Sequence, residues 1–237
     1  MKRFGNSIYV SLALSLGVSF ILLFTTRFFF FLINSSYFPE LETSNWVNIL
    51  KGGIKFDIAA VFYTNTLFIL LKIVPFPIRF HPTYLKLTKY VYIICNTLMI
   101  AFSVFDMIYF KYTLRRSTWM IFREFSNESN RSKMILYTAM EYWYIFPLFA
   151  ILLFVLIFTY NKIQSRIIKP QQNLYYHGLS IGLFFFIPVV FIGGVRGDLK
   201  YSTRPITMSN AGEYVKNPSL IPLLLNTPFC MIRTIQQ

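Results

Sequence analysis

The chain has 237 residues, 55% of them hydrophobic, with 27 Phe, 16 Tyr and a mean hydropathy of +0.52, which excludes an ordinary soluble domain. Its formal charge of +14 would suggest nucleic acid as a partner in a soluble protein. Here the Lys and Arg residues sit between apolar runs that each match a bilayer, so membrane lipids and their anionic head groups are the expected partners. Two cysteines, Cys95 and Cys230, are too few for a disulfide framework.

The first apolar run begins at Ile8 behind Lys2 and Arg3 and continues to Ile33, with the polar group Thr25, Thr26 and Arg27 late in it. A secretory signal has an apolar region of about 7–15 residues and a small-residue cleavage site, so this run reads as an uncleaved first helix. At roughly 1.5 Å per residue it covers about 39 Å, which puts Arg27 near the far interface, where a long side chain snorkels to water. Residues Asn34 to Gly53 read as a polar connection. The second run, Ile54 to Val74, carries Lys55 and Asp57 in its first turn and stops before Pro75 and Pro77.

A short basic loop leads to the third run, Thr88 to Phe110, with Asp106 about a turn from its end. Lys111 to Tyr142 is mixed, with Leu114, Ile121, Phe122 and Phe125 spaced for one helical face against Arg115, Arg116, Arg123 and Glu124. It is expected to lie on the membrane surface. Trp143 to Tyr160 and Leu174 to Val195 are the fourth and fifth spans, joined by a second short basic loop. In the tail, Ser219 is placed to cap a short helix over Leu220 to Leu225, and Thr227 with Pro228 reads as the cap and first residue of another. Leu220 to Ile232 is too short and too interrupted by Pro222, Asn226 and Pro228 for a sixth span, so an interfacial hairpin is expected.

The fold class is thus all-α integral membrane with five transmembrane helices, an amphipathic outer loop and a short interfacial helical tail. Residues 1–195 form the membrane domain and 196–237 an extracytoplasmic linker. With the N-terminus inside, the short inner segments carry Lys2, Arg3, Arg79, Lys86, Lys162, Arg166 and Lys169, with Lys72 and Lys89 at helix ends. Glu40, Glu42, Asp57, Asp106, Glu124, Glu128, Glu141, Asp198 and Glu213 all fall on the outer side.

The tail also carries a resemblance. Arg196-Gly197, Arg204-Pro205, Asn210-Ala211 and Asn226-Thr227-Pro228-Phe229 with Ile232-Arg233-Thr234 resemble the linker of lipoteichoic-acid-synthase-like, sulfatase-superfamily membrane proteins. Phe56-Asp57 and Asp106 with Tyr109-Phe110 are similar to the same family's membrane domain. The resemblance implies a bacterial cell (inner) membrane protein that is the anchor and linker of a phosphoglycerol transferase or sulfatase-like enzyme. It further implies that a C-terminal catalytic domain, expected to be missing from these residues, uses a Thr nucleophile and a divalent metal such as manganese.

That chemistry needs acidic residues and His around a metal, plus an activated hydroxyl. His81 and His177 fall at the inner edge and every carboxylate on the outer side, so no catalytic residue or metal ligand is assigned here. Glu128-Ser129 sits in polar FSNESNRS with no strand before it and reads as a loop. Ionisable groups inside a membrane helix are costly and point to function or to a partner. Asp57 and Asp106 read either as a structural lock between the second and third helices or as contacts for a lipid-linked substrate. Lys55 points to another face from Asp57, so Lys111, Arg115 or Arg116 are the expected partners. Arg115, Arg116, Arg196 and Arg204 are candidates for a phosphate-binding rim or for anchoring to head groups. The rival readings are an envelope scaffold and a small transporter or channel. A transporter favours broken helices with ionisable groups near the midplane, and Pro147, Pro188 and Gly193-Gly194 are the residues that fit.

Overall fold

The computed structural model describes residues 7–39, 41–127, 137–165, 174–197 and 205–235, and these contain helices and no strand. Ser7 opens α1 (Ile8–Asn34), its hydroxyl accepting from the Val10 amide, as an N-cap serine should. Then come α2 (Thr43–Thr64), α3 (Thr66–Ile73) and α4 (Pro82–Thr113), whose Pro stands in the first turn, where it costs no hydrogen bond. The short α5 (Ile121–Asn127) precedes α6 (Ile145–Gln164) and α7 (Leu174–Arg196), and the tail forms α8 (Ile221–Leu224) and α9 (Thr227–Thr234). Four helices, α1, α4, α6 and α7, are long and apolar enough to cross a membrane, and the α2–α3 pair adds a fifth if it is one span. The chain is a multi-pass helical membrane protein.

Helix α1 is the hub, packing against α2, α3, α4 and α6, while α7 lies outside α2 and α3. Its first half presents Ser11, Ser15 and Ser19, all buried and spaced four apart. Without a hydrophobic force between helices in lipid, small residues that permit close approach and polar groups that bond across helices hold such bundles together. Ser19 donates to Tyr92 Oη at 3.1 Å and Tyr92 donates to the Ser15 carbonyl at 2.9 Å, tying α1 to α4. The Tyr92 ring stacks on Tyr160 of α6 at 4.7 Å, so one phenol joins three helices.

The second span departs from the expected single run Ile54 to Val74. Helix begins eleven residues earlier, at Thr43, and breaks at Asn65, where α3 turns 64° away. Asn65 ends α2 and begins α3, and its amide exchanges hydrogen bonds with Asn96 of α4, at 2.7 and 3.3 Å. The Asn34 to Gly53 stretch is therefore not simply a connection, because its second half is helix.

The tail is also corrected. It does not lie along the surface: Leu223, Leu224, Phe229 and Cys230 are fully buried. α8 packs on α1 and α2, and α9 fits between α2 and α4. Its caps are displaced as well. Asn217, not Ser219, caps the 3-10 turn Pro218–Leu220, and Asn226, not Thr227, caps α9 by accepting from the Phe229 amide at 2.8 Å.

Candidate functional site

The tail meets the bundle at two buried ion pairs. Asp57 on α2 is fully buried, and Arg27 on α1 grips it bidentately, Nη1 to Oδ2 at 2.6 Å and Nη2 to Oδ1 at 2.7 Å. Arg27 is only 4% exposed, so the expectation that it snorkels outward is overturned, as is the expectation that Asp57 pairs with Lys111, Arg115 or Arg116. A planar fork against a carboxylate matches each buried charge with the other, although leaving water is costly and the buried Nε has no hydrogen-bond partner. Nη2 also donates to the Leu224 carbonyl at 2.9 Å, the last residue of α8.

Local sequence makes room for this. Gly53 stands one turn before Asp57 on α2, and a Cβ there would lie 2.3 Å from Arg27 Nη1. Gly52 beside it would collide with Tyr214 and Leu224 of the tail. The glycine pair thus lets a guanidinium and the tail approach the helix backbone closely.

The second pair is built differently. Leu114 ends α4 in the left-handed region at φ 53°, the one positive-φ residue other than glycine among those described. That turn sends the chain back over the helix end, and Arg116 Nη1 meets Asp106 Oδ2 at 2.9 Å. Asp106 is buried, and its Oδ1 accepts from both the amide and the hydroxyl of Ser117. Arg116 Nε donates to the Pro222 carbonyl at 2.7 Å, and the guanidinium lies over the Phe30 ring at 3.5 Å from its centroid. Burial works against charge on Arg116, and Asp106 is the group that opposes it.

Two adjacent tail residues complete both sites. Asn226 Nδ2 donates to Asp57 Oδ1 at 2.8 Å, and Thr227 Oγ1 donates to Asp106 Oδ2 at 2.7 Å. Neighbouring side chains at a helix start diverge, so one dipeptide spans both carboxylates. Asn226 serves twice, its carbonyl capping α9 and its NH2 reaching α2. The loop before α5 joins in, with the Trp119 amide donating to Thr234 Oγ1 at 2.9 Å.

The sequence-expected residues are thus only partly gathered. Asp57 and Asp106 are each bound to the tail rather than to one another. Arg116 turns inward and leaves the outer rim, while Arg115 stays out, 68% exposed and paired with Glu124 at 3.2 Å. Arg196 is half-buried at the end of α7, and Arg204 lies outside the described residues, as do Glu128 and Ser129. Lys55 faces the Tyr214 ring, 5.5 Å from its centroid, rather than Asp57. Arg116 is among the partners expected for the carboxylates and meets Asp106, whereas Arg27, Asn226 and Thr227 were not expected to bond to them. The available signal was a lone Arg and a lone Asp in successive apolar runs, with a Gly-Gly pair one turn before the Asp.

Only about 10 Å³ of open space separates the two pairs, enclosed by Leu23, Thr26, Ser103 and the tail dipeptide, so no head group fits between them. Among the described residues no three of His, Cys, Asp and Glu converge on a point. No protein-family model, curated protein or solved structure matches the chain.

Proposed function

We propose that these residues are the membrane anchor and linker region of a sulfatase-superfamily, lipoteichoic-acid-synthase-like enzyme, crossing a bacterial inner membrane five times with the N-terminus inside and the tail outside. The observation that supports this is the convergence of the resembling motifs. Phe56-Asp57, Asp106 with Phe110, and Asn226-Thr227-Pro228-Phe229 lie far apart in sequence, yet they form one buried assembly. Asn226 and Thr227 bond the two carboxylates, and Phe229 packs edge-on to Phe56 at 5.0 Å. Such an assembly does the mechanical work of a rigid linker. It fixes the last helix of the described chain to two membrane helices, so that a catalytic domain following it is held at a set position over the outer surface. Any metal and nucleophile belong to that domain.

A transporter gains one point from the structure, the 64° break at Asn65. Its carriers would be Asp57 and Asp106, but both are saturated by arginines and tail hydrogen bonds, which opposes cycles of protonation or ion release.

Two measurements test the proposal. Single cysteines at positions 128 and 200 in a Cys-free background should react with a membrane-impermeant thiol reagent on intact cells, and those at 86 and 169 should not. Labelling of 169 from outside overturns the topology. An antibody against the 205–217 segment should detect, in membranes of the source cells, a polypeptide several hundred residues longer than this chain. A 28.0 kDa species alone overturns the anchor reading.

A further inference from the structure

At the end of the bundle opposite the two ion pairs, one buried lysine has no carboxylate beside it among the described residues. Each described acidic residue, Glu42, Asp57, Asp106, Glu124, Glu141 and Glu213, lies at or toward the end where α1 and α4 finish. At the other end Lys72, closing α3, is 2% exposed. Its ammonium donates to Gln164 Oε1 of α6 at 3.0 Å and lies 5.7 Å from the centre of the Phe68 ring. Among the described residues it has no carboxylate, whereas buried Arg27 and Arg116 each have one. An amide and a ring edge the charge but do not neutralise it, and a buried cation needs an anion.

Gln164 also lines a cleft of about 400 Å³, within the usual range for ligand sites of roughly 300–1,000 Å³. It is lined by Lys86 and Lys89 from the first turns of α4 and by Asn161, Gln164 and Ser165 from the end of α6. Ile8, Phe80 and Leu85 form its apolar wall. Two lysines and two side-chain amides in the lining, with a third, buried ammonium bonded to Gln164, make a site for a phosphate monoanion or diester. The apolar wall, at the rim of a membrane bundle, favours a phosphate that carries acyl chains.

We propose that this cleft seats the phosphate of an anionic phospholipid, which supplies the counter-charge that the described residues do not provide at that end. Lys86 and Lys89 contact the phosphate, Asn161 and Gln164 donate to its oxygens or to the polar head, and the acyl chains run down the lipid-facing side of α4 and α6. The site depends only on the bundle. Its placement in the inner leaflet rests on the topology proposed above, which the labelling experiment tests separately.

The test is a thermal-melting titration of the full chain in a mild non-ionic detergent with phosphatidylglycerol, with phosphatidylcholine of the same chains, and with inorganic phosphate. Phosphatidylglycerol at ten times its dissociation constant should raise Tm by about 4 °C. The double variant K86Q/K89Q, altered only at an exposed and a half-buried position, should lose at least half of that shift. K51Q, at an exposed lysine near the opposite end, should keep it. K72M should melt no lower than the wild type without lipid and respond less to it, since the buried charge is gone. An equal response to phosphatidylcholine, an undiminished response in K86Q/K89Q, or no response at all overturns the proposal. An equal shift with inorganic phosphate alone overturns the lipid and assigns the cleft to a soluble anion.

Discussion

Arg27 and Asp57 form a two-pronged ion pair, at 2.6 and 2.7 Å, between the first helix and the second, and both are buried. The pair is thirty residues apart in sequence and closes only because Gly53 leaves space above Asp57. Through the Leu224 carbonyl and Asn226 it also holds the end of the chain. What happens to that pair should therefore register in the tail as well as in the bundle.

The first prediction concerns coupling. Removing one member of a buried pair leaves the other charge unmatched, which costs more than removing both. D57A with R27A, and D106A with R116A, should each recover part of the single-variant loss in detergent Tm. Couplings in membrane proteins average about 0.6 kcal/mol and reach roughly 1.7 kcal/mol, so non-additivity rather than collapse is expected. D57A with R115A should be additive, because Arg115 is 68% exposed and bound to Glu124. Additivity in all three cycles would remove the paired arrangement.

Gly53→Ala is the second. In an unconstrained helix this change gains about 1 kcal/mol of propensity. Here the new Cβ meets the Arg27 guanidinium at 2.3 Å, and moving that group breaks its fit to Asp57. Overpacking of this kind costs about 1–3 kcal/mol, so the steric effect wins and Tm should fall. Gly178→Ala, where nothing lies within 4 Å, should be neutral or stabilising. Equal effects at the two glycines would show that close approach is not what Gly53 provides.

The tail itself gives the third prediction. Thr227→Val keeps the shape but deletes the donor to Asp106, a bond to a charged group worth roughly 1.5–3 kcal/mol. Asn226→Ala removes both the helix cap and the bond to Asp57. Each should loosen α9, and limited proteolysis should cut the tail faster in both variants than in the wild type. Unchanged cleavage in the two would mean that apolar packing alone holds α9.

Cys230 supplies an independent readout of the same docking. It is fully buried, and burial pushes its thiol up to about 12. In a Cys95→Ala background it should resist alkylation at pH 8 and become reactive in Thr227→Val. The sign of the pH effect follows, since the folded state holds the proton more tightly than the unfolded one. The stabilisation is complete below the ordinary thiol value of 9.0 and is lost as pH rises from there toward 12. The tail should therefore be released more readily at alkaline than at neutral pH, and Cys230→Ala should remove that dependence.

Four long apolar runs were readable as helices from their composition, because a chain in lipid must satisfy its backbone polar groups within each segment, whatever surrounds it. Asp57 and Asp106 announced themselves for the same reason: a carboxylate in such a run demands a partner. The expected set of Lys111, Arg115 and Arg116 held the partner of Asp106 but not that of Asp57. Arg27 reaches Asp57 only through the crossing of α1 on α2 and the space at Gly52 and Gly53, and Arg116 reaches Asp106 only because Leu114 turns the chain back. Nor could local pattern show that the tail is core. Its short helices have too few apolar residues to span, and their burial comes from contacts made across 169 residues for Asn226 and 121 for Thr227. Local composition determines where a membrane chain must be helical, because that requirement is met within each segment; the matching of its buried charges depends on helix phase and crossing, and only the packed bundle decides it.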